Sequence, residues 1–193
     1  MNKYLNHQIL SGGQAVVETL KIEGVKYVFG LIGSATVELF DSIYDTKDIK
    51  LIDVRDERTG VHMADGYARA SNKPGVILAG QNGPGATNLV TGIAQANAAF
   101  SPVISLAGDI ASEHRGKDAF QEIDQQALFE PITKKTFSVK QTEKIPKILN
   151  EAFNLALTPR CGPVHVNLPR DILANNANFA EFHKHQNLSL IHI

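Results

Sequence analysis

Short apolar runs recur along the chain, and stretches with helical spacing separate them. Residues 75–79 (GVILA) are almost uninterrupted in apolar character, as expected of a strand covered on both faces. Residues 102–107 (PVISLA) form a second such run, and shorter ones lie at 26–29 (KYVF), 51–54 (LIDV), 135–139 and 164–168. Between them, Val16, Val17 and Leu20 share one helical face, and Val37, Phe40, Ile43 and Tyr44 follow at spacings of three and four. Further helical patterns cover residues 57–70 and 142–157. Another begins at Pro84, well placed at a first helical position, and is rich in small residues such as Ala86, Ala94 and Ala96. This alternation predicts an α/β fold: a doubly wound, mainly parallel sheet with helices on both faces. No internal repeat or low-complexity segment interrupts it.

A chain of 193 residues allows one ordinary domain, and 43% hydrophobic residues suffice for its core. Nineteen Lys and Arg against twenty Asp and Glu leave no basic excess, which argues against a nucleic-acid partner. No apolar run approaches the length of a membrane span, and the first ten residues lack the pattern of a secretory leader. With a single cysteine, Cys161, the expected setting is cytoplasmic. The expected organisation is an N-terminal extension over 1–8, the domain over 9–173, and a flexible tail over 174–193 holding His183, His185 and His192. The last six residues (LSLIHI) read as the translated mosaic end of a transposase-based sequencing adapter. A coding sequence cut near Asn187, and hence a piece of a longer chain, is therefore expected.

In open α/β sheets, ligands bind beyond the carboxyl ends of the strands. Four segments are expected there: residues 30–35 (GLIGSA), 55–58 (RDER), 80–87 (GQNGPGAT) and 108–121. The two glycine-rich ones match neither the dinucleotide fingerprint nor the phosphate-binding P-loop, and many such turns are simply turns. The charged tetrad has a plain reading as a solvated helix start, where acidic residues suit the positive end. Asp65-Gly66 lies inside a helical pattern and does not read as a metal-binding turn. Cys161 follows Arg160 and has His165 as the one nearby candidate base in sequence, a weak case for a nucleophile. No metal-ligand set is expected.

The order and wording of these loops resemble the N-terminal pyrimidine-binding domain of thiamine-diphosphate enzymes. The resemblance rests on residues 57–70 (ERTGVHMADGYARA), 83–93 (GPGATNLVTGI), 118–124 (DAFQEID), 131–134 (PITK) and 162–171 (GPVHVNLPRD), and covers about 9–173. Within that family the wording is most similar to acetolactate synthase, while GLIGSA and QNGPG are similar to sulfoacetaldehyde acetyltransferase. The resemblance implies that Glu57 is the catalytic glutamate, which bonds N1′ of the cofactor's aminopyrimidine and shuttles the proton that activates the thiazolium C2 toward a 2-keto acid. It implies cofactor-binding roles for Gly33, Pro84, Gly85 and Asn88, and substrate-facing positions for Ser34, Gln81, Phe120 and Gln121. Ser34 also reads as a helix N-cap.

Two departures stand out: Asp56 and Arg58 flank Glu57 where many members have histidine and glutamine, and Ile32 replaces the proline usual in acetolactate synthases. The Gly-Asp-Gly turn with a downstream asparagine, which in this family holds the diphosphate through Mg²⁺, is not found. The resemblance therefore implies an isolated chain that is inactive, and a longer protein that is a homodimer or tetramer with its active site across a subunit interface. That protein would act on a small 2-keto acid or aldehyde, with FAD as a further cofactor. Two other readings stand beside this one: the pyrimidine-domain subunit of a two-chain 2-keto acid decarboxylase, and a non-catalytic α/β interaction module.

Overall fold

The computed structural model describes residues 8–180 and residue 182. In chain order the elements are β1 (Gln8–Ser11), α1 (Gly12–Ile22), β2 (Tyr27–Leu31), α2 (Val37–Tyr44), β3 (Lys50–Asp53), α3 (Glu57–Ser71), β4 (Gly75–Ala79) and α4 (Pro84–Asn88). There follow α5 (Val90–Ala98), β5 (Val103–Asp109), α6 (Gln125–Phe129), β6 (Lys135–Ser138), α7 (Ile145–Leu157), β7 (Val164–Pro169), α8 (Arg170–Ala174) and β8 (Asn176–Phe179). Six strands pair in parallel in the order β3-β2-β4-β5-β7-β6, and β1 pairs antiparallel with β8 in a separate ribbon. The architecture is the expected doubly wound α/β sheet.

Strand periodicity splits the core in two. Val76, Leu78, Ile104, Leu106, Val164, Val166 and Leu168 face one way and pack with α1, α2 and α7 through residues such as Leu20, Phe40, Leu149 and Phe153. Ile77, Ala79, Val103 and Ala107 face the other way, against Val61 and Ala64 of α3, Ile93 of α5 and Phe129 of α6. The strand order reverses between β2 and β4: the chain leaves β2 for the edge strand β3, then returns past β2 to add β4. Such a switch point opens a crevice at the carboxyl ends of the two strands.

Several glycines let layers approach without side chains between them. A Cβ on Gly75 would lie 2.1 Å from the Ala64 carbonyl oxygen, and one on Gly92 would lie 2.5 Å from Val61 Cβ. These contacts press α3 onto β4 and α5 onto α3, which fixes where the first turn of α3 sits.

Three expectations are corrected. The segment 174–193 is not a uniform flexible tail: Asn176–Phe179 pair with Gln8–Ser11, with Gln8 opposite Phe179 and Ser11 opposite Asn176. Backbone pairing places the strand, and the polar–apolar alternation of NANF turns Ala177 and Phe179 inward, with Phe179 in the core at 4% exposure. The same pairing draws Gln8 out of the expected extension. The run read as 102–107 extends to Asp109, because its polar end is buried rather than solvated. His183, His185, His192 and the LSLIHI terminus lie outside the described residues.

Among the described residues no helix is long and apolar enough to cross a membrane. Gly75→Ala is expected to lower stability by about 1–3 kcal/mol, because backbone must move to admit the methyl group. Gly66→Ala, on the exposed side of α3 with nothing within 4 Å, is expected to raise it by about 0.5–1 kcal/mol. Urea unfolding of both variants checks the pair; shifts of the same sign would mean that the α3–β4 contact is looser than described.

Candidate functional site

The loops after β2 and β4 meet at the switch point with no room for side chains. A Cβ on Gly33 would lie 2.5 Å from the Gly80 carbonyl group, and one on Gly80 would lie 2.2 Å from Gly33 N. Backbone bonds tie the loops: Gly80 N–H donates to Leu31 O at 3.1 Å and Ala35 N–H to Gly80 O at 3.0 Å. Ser34 and Gln81 are thereby held side by side, and Ser34 Oγ donates to Gln81 Oε1 at 2.9 Å. Gln81 Nε2 then donates to Gln121 Oε1 at 2.6 Å, bringing in the loop after β5. Gly33, which has no side chain, is the N-cap of the 3-10 turn Ser34–Thr36, so the N-cap reading of Ser34 gives way to its contact with Gln81.

Asn82, which sequence reasoning missed, is 4% exposed and donates through Nδ2 to the carbonyls of Phe120 and Gln121, at 3.0 and 2.9 Å. Gly83 follows at φ +57, and a Cβ there would lie 2.6 Å from Gln121 O, so that side too is closed to side chains. Phe120 presents its ring to solvent at 80% exposure.

Pro84 then starts α4 at its first helical position. That short helix carries Asn88 to α3, where Asn88 Nδ2 donates to Glu57 Oε2 at 2.9 Å. Glu57 is the first residue of α3 and only 4% exposed. The tetrad around it divides by function. Asp56 caps the helix by accepting from Arg58 N–H at 2.8 Å, and the Arg58 guanidinium turns back to the Asp56 carboxylate. Arg55 is 94% exposed. The solvated-start reading therefore holds for Glu57's neighbours and fails for Glu57 itself. Gly85 sits opposite: a Cβ on it would lie 3.1 Å from both Glu57 Oε1 and Gln81 Cβ. The missing side chain leaves a gap facing Oε1, between the carboxylate and the Gln81 strip.

A model of the thiamine pyrophosphate enzyme N-terminal TPP binding domain matches residues 10–128. The chain belongs to that family. The matched stretch of this TPP-binding domain contains Glu57, Gly85, Asn88 and the Gln81 loop. Among its relatives, the "probable acetolactate synthase large subunit" of Methanocaldococcus jannaschii is 48% identical over 163 residues, 84% of this chain and 27% of that protein. The "acetolactate synthase isozyme 3 large subunit" of Escherichia coli is 47% identical over 171 residues, covering 89% of this chain and 29% of the relative. The "acetolactate synthase large subunit" of Lactococcus lactis is 42% identical over 172 residues, 89% and 30% respectively. The chain thus spans less than a third of the length of these relatives.

A second polar cluster of the TPP-binding domain lies under α6, where β5 and β7 pair Ser105 with His165 and Ala107 with Asn167. Ser105, His165, Asn167 and Asp109 are all buried. Asn167 Nδ2 donates to Asp109 Oδ2 at 3.3 Å, so its Oδ1 is left to accept from His165 Nε2 at 2.6 Å. That assigns the proton to Nε2 and makes Nδ1 the acceptor for Ser105 Oγ at 3.0 Å. Phe129 stacks on the imidazole at 3.8 Å. Arg115 bonds Asp109 from the solvent side. Burial pushes the Asp109 carboxyl up, and the Arg115 guanidinium opposes the rise.

Engaged in this way, His165 is no partner for Cys161, whose thiol donates to Leu157 O at 3.4 Å. Asp65 is buried within α3 and paired with Arg69 at 2.8 Å. Among the described residues no group of three or more His, Cys, Asp and Glu could hold a metal ion.

Burial pushes the His165 pKa down to about 3 from 6.5. Below the unfolded value the unfolded chain binds a proton that the native chain refuses. Stability from this residue is therefore complete above about pH 6.5 and falls by about 1.4 kcal/mol per pH unit toward pH 3. His165→Leu should flatten the fall in unfolding free energy between about pH 6 and pH 4; parallel curves for variant and parent would contradict the buried neutral imidazole.

Proposed function

We propose that this chain forms the aminopyrimidine-facing part of an acetolactate-synthase-type carboligase that uses thiamine diphosphate. What supports the reading above all is the Glu57 carboxylate: buried, fixed at Oε2 by Asn88, and facing a glycine gap at Oε1. A planar ring nitrogen fits such a gap, and the cradle depends on residue 85 having no side chain. The residues present therefore suit the group.

When bound, thiamine diphosphate supplies the electron sink that lets a 2-keto acid lose carbon dioxide and pass its remaining carbons to an acceptor. The chain's own part is positioning and proton transfer. Glu57 would hold and return a proton for the aminopyrimidine through Oε1, the oxygen that Asn88 does not bond. Asn88 holds the carboxylate plane, so Oε1 stays aimed across the Gly85 gap. Gly33, Pro84 and Gly85 would line the wall that receives the pyrimidine. Ser34, Gln81 and Gln121, linked by hydrogen bonds, offer a polar edge to the substrate, with Phe120 beside it.

The remaining parts of the proposal lie outside this chain. Mg²⁺ and the diphosphate are held by another domain, FAD binds elsewhere in the longer protein, and the site closes across a subunit interface in a homodimer or tetramer. Ile32 at 60% and Phe120 at 80% exposure flank the site, as expected of a surface that another domain covers. The substrate is a small 2-keto acid or related aldehyde, and the setting is cytoplasmic.

Glu57→Gln in the full-length protein preserves shape and the Asn88 contact while removing the proton acceptor. Turnover is expected to fall by about 10²–10⁴-fold with the fold intact by circular dichroism. Undiminished turnover would remove Glu57 from the mechanism.

A further inference from the structure

Residues 110–122 leave the sheet after β5 with a single 3-10 turn, Ser112–His114, and Ser112 through Asp118 are exposed. A segment of this kind is ordinarily free to wander. Here it delivers Gln121 to 2.6 Å from Gln81, with Asp118 and Gln121 both at positive φ. Several fastenings hold it. Asn82 grips its far end, as described above. Asp171 Oδ1 accepts from Ser112 N–H and Oγ at 3.0 and 3.1 Å. Glu122 accepts from the N–H groups of Gly116 and Ala119 at 2.6 and 3.1 Å, and the Gly116 bond foremost holds its carboxyl below the usual range.

The fourth fastening differs in kind. Arg115 is 44% exposed, yet its guanidinium bonds Asp109, whose side chain is fully buried at the end of β5. Asp109 cannot move to meet it. The Ile110 N–H bonds its Oδ1 at 2.9 Å, and Asn167, itself locked to His165 and Ser105, bonds its Oδ2. A rigid acceptor in the sheet thus fixes one point near the middle of a segment whose other holds lie at its two ends and within itself.

We propose that Arg115 is a positioning residue: docked on Asp109, it sets the course of residues 110–122 and through them the placement of Gln121 beside Gln81 and Ser34. The inference rests on the reading of those three residues as the substrate-facing edge. Arg115 reaches that edge through the loop alone, and Glu57 with Asn88 stands on other elements. Its loss therefore bears on substrate capture more than on activation of the cofactor.

The test uses the full-length protein, with Arg115→Met, Arg115→Lys and the double variant Asp109→Asn/Arg115→Met. The double variant removes the uncompensated buried charge that could unfold the single one. Amide hydrogen exchange over residues 111–121 is expected to quicken about tenfold or more in both methionine variants. The KM for the acceptor is expected to rise by about tenfold with kcat changed by no more than about threefold. Lysine, which keeps a cation within reach of Asp109, should recover most of both effects. Exchange at the parent's rate in the folded double variant would overturn the proposal, as would equal loss with lysine and methionine. Absence of thiamine-diphosphate-dependent turnover in the parent would count against the proposed function, and exchange alone would then decide the role of Arg115.

Discussion

Side chains are excluded wherever the loops of this site touch one another. Gly33 and Gly80 bring the ends of β2 and β4 together backbone to backbone, and neither position tolerates a Cβ. Once the loops are clamped there, Ser34 and Gln81 have only one side to occupy, and they occupy it together. The same exclusion repeats at Gly83 against Gln121, and at Gly85 between Gln81 and Glu57. Each functional side chain is adjacent to a glycine contact because the contact removes every alternative direction. The acid on α3, the hydroxyl of Ser34 and the amides on two further loops thus become neighbours through packing of backbone, with hydrogen bonds completing the geometry.

Legibility in the sequence follows from how local the determining physics is. The run GVILA is a strand in any context that buries both faces, and the helical spacing at 57–70 already places Gly60, Val61, Ala64 and Ala68 on one side, where the structure buries them. The pairing of β8 with β1 joins segments more than 160 residues apart, and the alternation in NANF, four residues long, does not by itself name a partner strand. The tetrad Arg55 to Arg58 shows the same limit within four residues. Composition marks it as a helix start, yet only Asn88 arriving from α4 distinguishes the buried glutamate from its solvated neighbours. The family resemblance selects Glu57 from a motif spread over many residues, whereas Asn82 lies within the quoted QNGPG run without a role of its own, and Arg115 stands outside every motif quoted.

The polar string under α6 was hidden for a related reason. Ser105, Asp109, His165 and Asn167 sit in segments dominated by apolar residues, and each alone reads as an interruption or a strand end. Parallel register aligns Ser105 with His165 and Ala107 with Asn167 on one face, so two interruptions become one hydrogen-bonded line. A buried imidazole and a buried carboxylate are each costly when unpartnered. Here the donors run in one direction, from Ser105 to His165 to Asn167 to Asp109, with Arg115 donating from the other end. No member is left with two donors facing one another, and the line ends at the rim of the sheet where charge can be solvated.

That line and the glycine contacts meet at the loop of residues 110–122, which the string fastens at Arg115 and the glycine loops receive at Gln121. The two systems differ in what they tolerate. Contacts made by missing side chains yield to nothing larger than hydrogen, so the crevice between β2 and β4 has a nearly invariant shape. A hydrogen-bonded ion pair can be retuned when both partners change together, since loss of Arg115 alone would leave the Asp109 charge buried and uncompensated. Separating the two in this way puts Glu57, Gly85 and Asn88 on the rigid side. Gln121, the part of the proposed substrate-facing edge that the loop carries, rests on the adjustable side.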